Sequence, residues 1–164
     1  MTTGALRPSE SLVGILRARS LTIAVAESLT GGLLVAELIA VPGASEVVLG
    51  GVIAYRTELK HSVLGVDATL LRDHGAVHPE VAAQMATGVR SALSIAAGPA
   101  HIGISSTGVA GPETQDHHPV GTVYLGFAFG TEVFTVRRQL SGNRAGIRAA
   151  AVFESITELI RLLE

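Results

Sequence analysis

Six residues, Leu21 to Ala26 (LTIAVA), run directly into the polar turn Glu27-Ser28-Leu29-Thr30-Gly31-Gly32, after which Leu33, Leu34, Ala36, Leu38 and Ile39 continue at helical intervals until Val41-Pro42-Gly43. A segment that is apolar at five of its six positions, rather than at every second one, has no side that suits water. It fits a strand covered on both faces. A buried strand that passes through a polar turn into a helix is half of a βα unit. Such units need a sheet sandwiched between helices.

The remaining chain repeats this pattern. Residues 47–55 (VVLGGVIAY) predict a second strand, and helical stretches follow at 57–64, 67–74 and 79–97, the last with Val81, Met85, Val89 and Leu93 on one face. Residues 101–106 (HIGISS) predict a third buried strand. Segments 121–129 and 132–139 meet at Gly130 as an antiparallel hairpin. Ser9 is expected to cap a first helix opening at Pro8, and Asn143 a closing helix that runs to about Leu163. The expected fold is α/β: a three-layer α/β/α sandwich with a mixed, mostly parallel sheet and a C-terminal antiparallel hairpin followed by a helix. A single domain is expected over residues 1–164. Ligands of such sheets sit beyond the carboxyl ends of the strands, where Ser28, Tyr55 and Thr107 are placed.

Composition narrows the function. With 164 residues, 48% of them hydrophobic, the chain can enclose one core. A formal net charge of −2 lacks the basic excess of a phosphate-backbone binder, and 4% aromatic residues with no Trp argue against base stacking, so no nucleic-acid partner is expected. No cysteine means no disulfide, no thiolate zinc site and no cysteine nucleophile. The early residues do not read as a signal peptide, and no run of about 18 apolar residues offers a membrane span. A cytoplasmic location without membrane attachment is expected.

Three segments carry candidate chemistry. In 27–32, Ser28 places a hydroxyl beside amides at the start of a helix, where negative charge is stabilised. Taken alone, Ser28 or Thr30 serves equally well as a simple cap. In 55–60 (YRTELK), Tyr55 and Lys60 lie within reach of that turn. A serine hydroxyl needs a proton acceptor, and a lysine of depressed pKa can be one. Alone, Lys60 reads more readily as a solvated surface residue. In 107–112 (TGVAGP), Thr107, Gly108, Ala110 and Gly111 form a small-residue loop suited to a phosphate or ribose, or a plain turn. Neither glycine-rich loop has Walker or Rossmann spacing. Residues 113–118 (ETQDHH) read as a solvated loop, and no metal or cofactor is expected. Arg137, Arg138, Arg144 and Arg148 read as surface cations, with Arg144 the candidate for a phosphate contact.

Together, AESLTGG (26–32), VPGAS (41–45), GGVIAYRTELKHSVLGV (50–66), HGAVHPEVAAQMA (74–86), STGVAGP (106–112) and PVGTVYLGFA (119–128) closely resemble the competence-damage-inducible CinA C-terminal family, over residues 12–160. The resemblance implies a nicotinamide-nucleotide amidohydrolase, converting nicotinamide mononucleotide and water to nicotinate mononucleotide and ammonia in pyridine-nucleotide salvage. It implies Ser28 as nucleophile, with Tyr55 and Lys60 activating it, and permits a homodimer. Thr30, Gly31 and Gly32 are then the expected site of the oxyanion donors. Thr107, Gly108, Ala110, Gly111 and Arg144 are expected on the nucleotide side. Leu29 stands where the family usually has cysteine, removing a thiol from the expected site. His78 stands where it often has serine, a change that bears on substrate affinity. Many relatives carry a further N-terminal pyrophosphatase domain, and none is expected from this sequence. A non-catalytic nucleotide-binding or partner-binding module, and an amidase for another amide, are the competing readings.

Overall fold

The computed structural model describes residues 6–164. Five strands, β1 (Ile23–Glu27), β2 (Val48–Ile53), β3 (Ile102–Gly108), β4 (Thr122–Phe129) and β5 (Glu132–Gln139), form one sheet in the order β2-β1-β3-β4-β5. β1 pairs in parallel with both β2 and β3, while β4 is antiparallel to β3 and to β5. Four strands thus point one way and only β4 opposes them, which is the mixed, mostly parallel sheet expected.

Alternation along each strand divides the core in two. Ile23, Val25, Ile102, Ile104, Leu125 and Phe127 face helices α1 (Pro8–Ala18), α2 (Leu33–Ile39) and α6 (Arg144–Leu163). Ala24 and Ala26 face the opposite side, against Val81, Met85 and Val89 of α5 (Pro79–Ala92). The short helices α3 (Thr57–Ser62) and α4 (Ala68–His74) connect β2 to α5, and Leu64, Val66 and Leu71 join this second core. Small residues on that face let α5 lie almost on the strands: the Ser105 hydroxyl donates to the Ala82 carbonyl at 2.6 Å, and a Cβ on Gly103 would overlap the Ala86 carbonyl.

Three expectations are corrected. Ser9 does not cap α1. Arg7 is its N-cap, with Glu10 accepting from the Arg7 N–H at 2.9 Å, and the buried Ser9 donates to Glu37 at 2.7 Å. α5 ends at Ala92 rather than near 97, because the Ser94 hydroxyl takes the Ser91 carbonyl at 2.8 Å and Ile95 and Gly98 pair in a tight turn. Thr107 and Gly108 belong to β3 instead of a loop, paired with Tyr124 and Val123. Segment 113–118 is a largely exposed loop, as expected, and within it Asp116 accepts from the Ala76 N–H at 3.0 Å. Asn143 caps α6 as expected, accepting from Gly146 N–H at 2.9 Å. Among the described residues, no helix is long and apolar enough to cross a membrane.

Candidate active site

β1 carries its last residue, Glu27, into the core and leaves Ser28 just past the strand end, where its N–H donates to the Ser106 carbonyl at 3.0 Å. The chain then turns back, with Gly31 N–H donating to the Ser28 carbonyl at 3.1 Å. Gly31 and Gly32 hold φ at +59° and +98°, a region that other residues occupy only with strain, so the turn depends on both. Glu27 has no solvent exposure and folds under the start of α2, accepting from the N–H groups of Gly32, Leu34 and Val35 at 2.9–3.0 Å.

That arrangement corrects the expected oxyanion donors at Gly31 and Gly32. The Gly31 amide is spent on Ser28 and the Gly32 amide on Glu27, so neither is free for a ligand. The Thr30 hydroxyl is engaged too, sharing a buried hydrogen bond with Ser106 at 2.7 Å.

Lys60 approaches from α3. It has no solvent exposure, and its Nζ lies 3.1 Å from Ser28 Oγ. The amine also donates to the Ala54 carbonyl at 2.7 Å and the Tyr55 carbonyl at 3.4 Å. Burial pushes its pKa down to about 8, against the opposing pull of Asp116 and Glu58. A lysine in this state releases and regains a proton near neutral pH, beside a serine hydroxyl. That pairing is the arrangement of an activated nucleophile and its base.

Ser28 and Lys60 open onto a cleft of about 610 Å³, a volume suited to a mononucleotide-sized ligand. Its walls include Tyr55, Ala76, Val77, Gly111, Gln115 and Arg144. Segments that are remote in sequence, at the ends of β1, β2 and β3 and the start of α6, therefore share one concavity beyond the strands' carboxyl ends.

The other expected residues fall in different places. The Tyr55 side chain is 58% exposed at the rim, and its hydroxyl accepts from Arg144 Nη2 at 3.0 Å. Among the described residues that is the phenol's hydrogen-bond partner; toward Lys60 it is the Tyr55 carbonyl, not the ring, that makes contact. Arg144 also donates to the Gly111 carbonyl at 2.6 Å, tying the two rims together. Thr107 lines the cleft, yet its buried hydroxyl donates to the Ala76 carbonyl at 2.8 Å. Gly108 is small because its strand partner's backbone leaves no room, a Cβ there meeting the Thr122 carbonyl at 2.5 Å. Gly111 and Ala110 lie on the cleft wall.

Both departures from the family pattern prove local. Leu29 sends its side chain into the apolar core. His78 lies outside the cleft lining and caps α5 as a serine would, its Nδ1 accepting from Glu80 N–H at 3.1 Å.

Three contributors escape sequence reasoning. Glu27 is signalled only by an acid just before a helix start. Asp116 holds one wall of the cleft through Ala76. Arg148, read as a surface cation, donates through Nε to the Leu29 carbonyl at 2.8 Å and through Nη2 to the Thr30 carbonyl at 3.1 Å. Its partners lie more than a hundred residues away, beyond any local pattern. Among the described residues, no three His, Asp or Glu side chains gather as a metal site.

A family model described as the CinA C-terminal domain matches residues 6–163. A CinA-like protein of Frankia casuarinae is 47% identical over 152 residues, which is 93% of this chain but 34% of that protein. The chain spans about a third of the length of the curated relatives it matches. Among solved structures, a competence-damaged protein (CinA) superfamily protein from Escherichia coli superposes with a TM-score of 0.88 at 30% identity, covering 94% of this chain and 88% of that one. The competence/damage inducible protein CihA from Agrobacterium tumefaciens gives 0.86 at 30% identity, covering all of both chains.

Proposed function

We propose, from the premise that this chain belongs to the CinA C-terminal domain family, that it is an amidohydrolase whose substrate is nicotinamide mononucleotide and whose nucleophile is Ser28. The observation that carries the reading is the 3.1 Å approach of a buried, readily deprotonated Lys60 amine to the Ser28 hydroxyl. A module that only binds has no use for such a pair.

The steps balance on these groups. Neutral Lys60 accepts the Ser28 proton as Oγ bonds to the carboxamide carbon. The tetrahedral intermediate collapses with the C–N bond breaking, and Lys60 returns the proton to the nitrogen, which leaves as ammonia. Water then attacks the resulting ester, its proton passing to Lys60 and on to Ser28 Oγ as nicotinate mononucleotide departs. In this reading Arg144, at the rim beside Gly111, meets the 5′-phosphate. Tyr55 shapes that rim through its contact with Arg144.

The test is ammonia release from nicotinamide mononucleotide by wild type and Ser28→Ala. Wild type is expected to turn over and Ser28→Ala to lose at least a thousandfold. Wild type that binds the nucleotide and releases no ammonia overturns the activity; release that survives the substitution overturns the nucleophile.

A further inference from the structure

An amide hydrolase needs donors for the oxyanion that forms on the carbonyl oxygen, and of the amides expected to serve, those of Gly31 and Gly32 are already occupied by Ser28 and Glu27. Two backbone N–H groups beside Ser28 remain. Among the described residues, neither Leu29 N–H nor Thr30 N–H has an acceptor within the protein, although Leu29 is 4% exposed and Thr30 has no exposure. Buried amides without partners are rare because leaving them so is costly. Leu29 lines the cleft while its side chain sits in the apolar core, so its backbone is what it offers there.

Peptide geometry fixes where these amides aim. In a planar trans peptide the C=O and N–H point in opposite directions, so holding one aims the other. The Ser28 carbonyl is held by Gly31 N–H, which turns the Leu29 N–H outward from the turn. The Leu29 carbonyl is held by Arg148 Nε, which in the same way aims the Thr30 N–H away from α6. Arg148 grips the Thr30 carbonyl too, closing a two-pronged clamp on the turn. The guanidinium has room because position 31 is glycine, where a Cβ would come within 3.2 Å of Nη2.

We infer that the Leu29 and Thr30 N–H groups are the oxyanion donors, that the Gly31–Ser28 bond aims the first, and that Arg148 is the positioning residue that aims the second. Bound to the Leu29 carbonyl, its cationic charge also polarises the Thr30 N–H of the same peptide toward the developing anion. This rests on the amidohydrolase reading above. Arg148 touches no reacting atom, so its removal weakens transition-state stabilisation and leaves substrate binding and the Lys60 titration in place.

The experiment measures ammonia release from nicotinamide mononucleotide by wild type, Ser28→Ala, Arg148→Met and Arg148→Lys, with circular dichroism on each. Arg148→Met is expected to lower kcat about 100-fold, with KM within about threefold and the pH midpoint unmoved. Arg148→Lys, which keeps the charge and one prong, is expected to recover part of that loss. Should Arg148→Met fail to fold, the lysine variant decides: kcat about tenfold down at unchanged KM supports the inference, and full kcat overturns it. A folded Arg148→Met with wild-type kcat, or one whose loss lies wholly in KM, also overturns it while leaving the function intact. Wild type that releases no ammonia takes down both together.

Discussion

Lys60 sits without solvent exposure among the carbonyls of Ala54 and Tyr55, and a charge in such a place is costly. The protein accommodates it by letting the amine lose its proton more easily, to a pKa of about 8. If the neutral amine is the form that accepts the Ser28 proton, the active fraction grows as pH rises toward that value. The expected kcat against pH therefore climbs about tenfold per unit below pH 8 and levels above it. Arg cannot supply a neutral form, so Lys60→Arg is expected to lose at least a hundredfold across the whole range, as steady-state rates between pH 6 and 9.5 would reveal. A wild-type profile flat from pH 6 to 9 would remove Lys60 as the base.

At the scale of elements, the sheet face under α5 is built from small residues, and helix and strand meet through backbone. Gly103→Ala is expected to destabilise by roughly 1–3 kcal/mol, since the new methyl meets the Ala86 carbonyl. Gly14→Ala, in α1 with nothing near its Cβ, is expected to stabilise by roughly 0.5–1 kcal/mol. Urea midpoints of the two variants check both signs. These elements were legible in the chain because burial on two faces leaves continuous apolar runs, as in LTIAVA, and because Gly130 and Asn143 mark a hairpin and a cap by local chemistry. The end of α5 was not, since Ser94 stops a helix that periodicity alone would extend. In the site, Ser28 was legible as a hydroxyl at a strand end and Lys60 only as an amine in the helix that follows the second strand. Their closeness, and the clamp of Arg148, depend on contacts between residues tens to more than a hundred positions apart, which no spacing encodes.

At the scale of the molecule, α6 ties the hairpin to the cleft. Its Glu158, only slightly exposed, lies between Arg138 of β5 and Arg161, with Arg138 also gripping Glu154. The hydrogen bond from Arg161, chiefly, with the charge of Arg138 beside it, holds the Glu158 carboxyl below its ordinary range. A lowered carboxylate pKa supplies stability above the unfolded value of about 4.5 that is lost as pH falls. Glu158→Gln is therefore expected to cost roughly 2 kcal/mol at pH 7, and the gap to wild type to narrow toward pH 3, as denaturant midpoints at both pH values would show. From the opposite end of the same helix, Arg144 and Arg148 reach the cleft rim and the Ser28 turn, so the site depends on how α6 docks across the sheet. The central claim concerns one bond made in that cleft, an ester on Ser28. Rapid quenching of the enzyme with nicotinamide mononucleotide, followed by peptide mass spectrometry, tests it directly. The account predicts an added mass equal to the substrate less ammonia on the peptide holding Ser28, absent in Ser28→Ala. Steady turnover with no adduct at any time point, together with an adduct-free active Ser28→Ala, would contradict it.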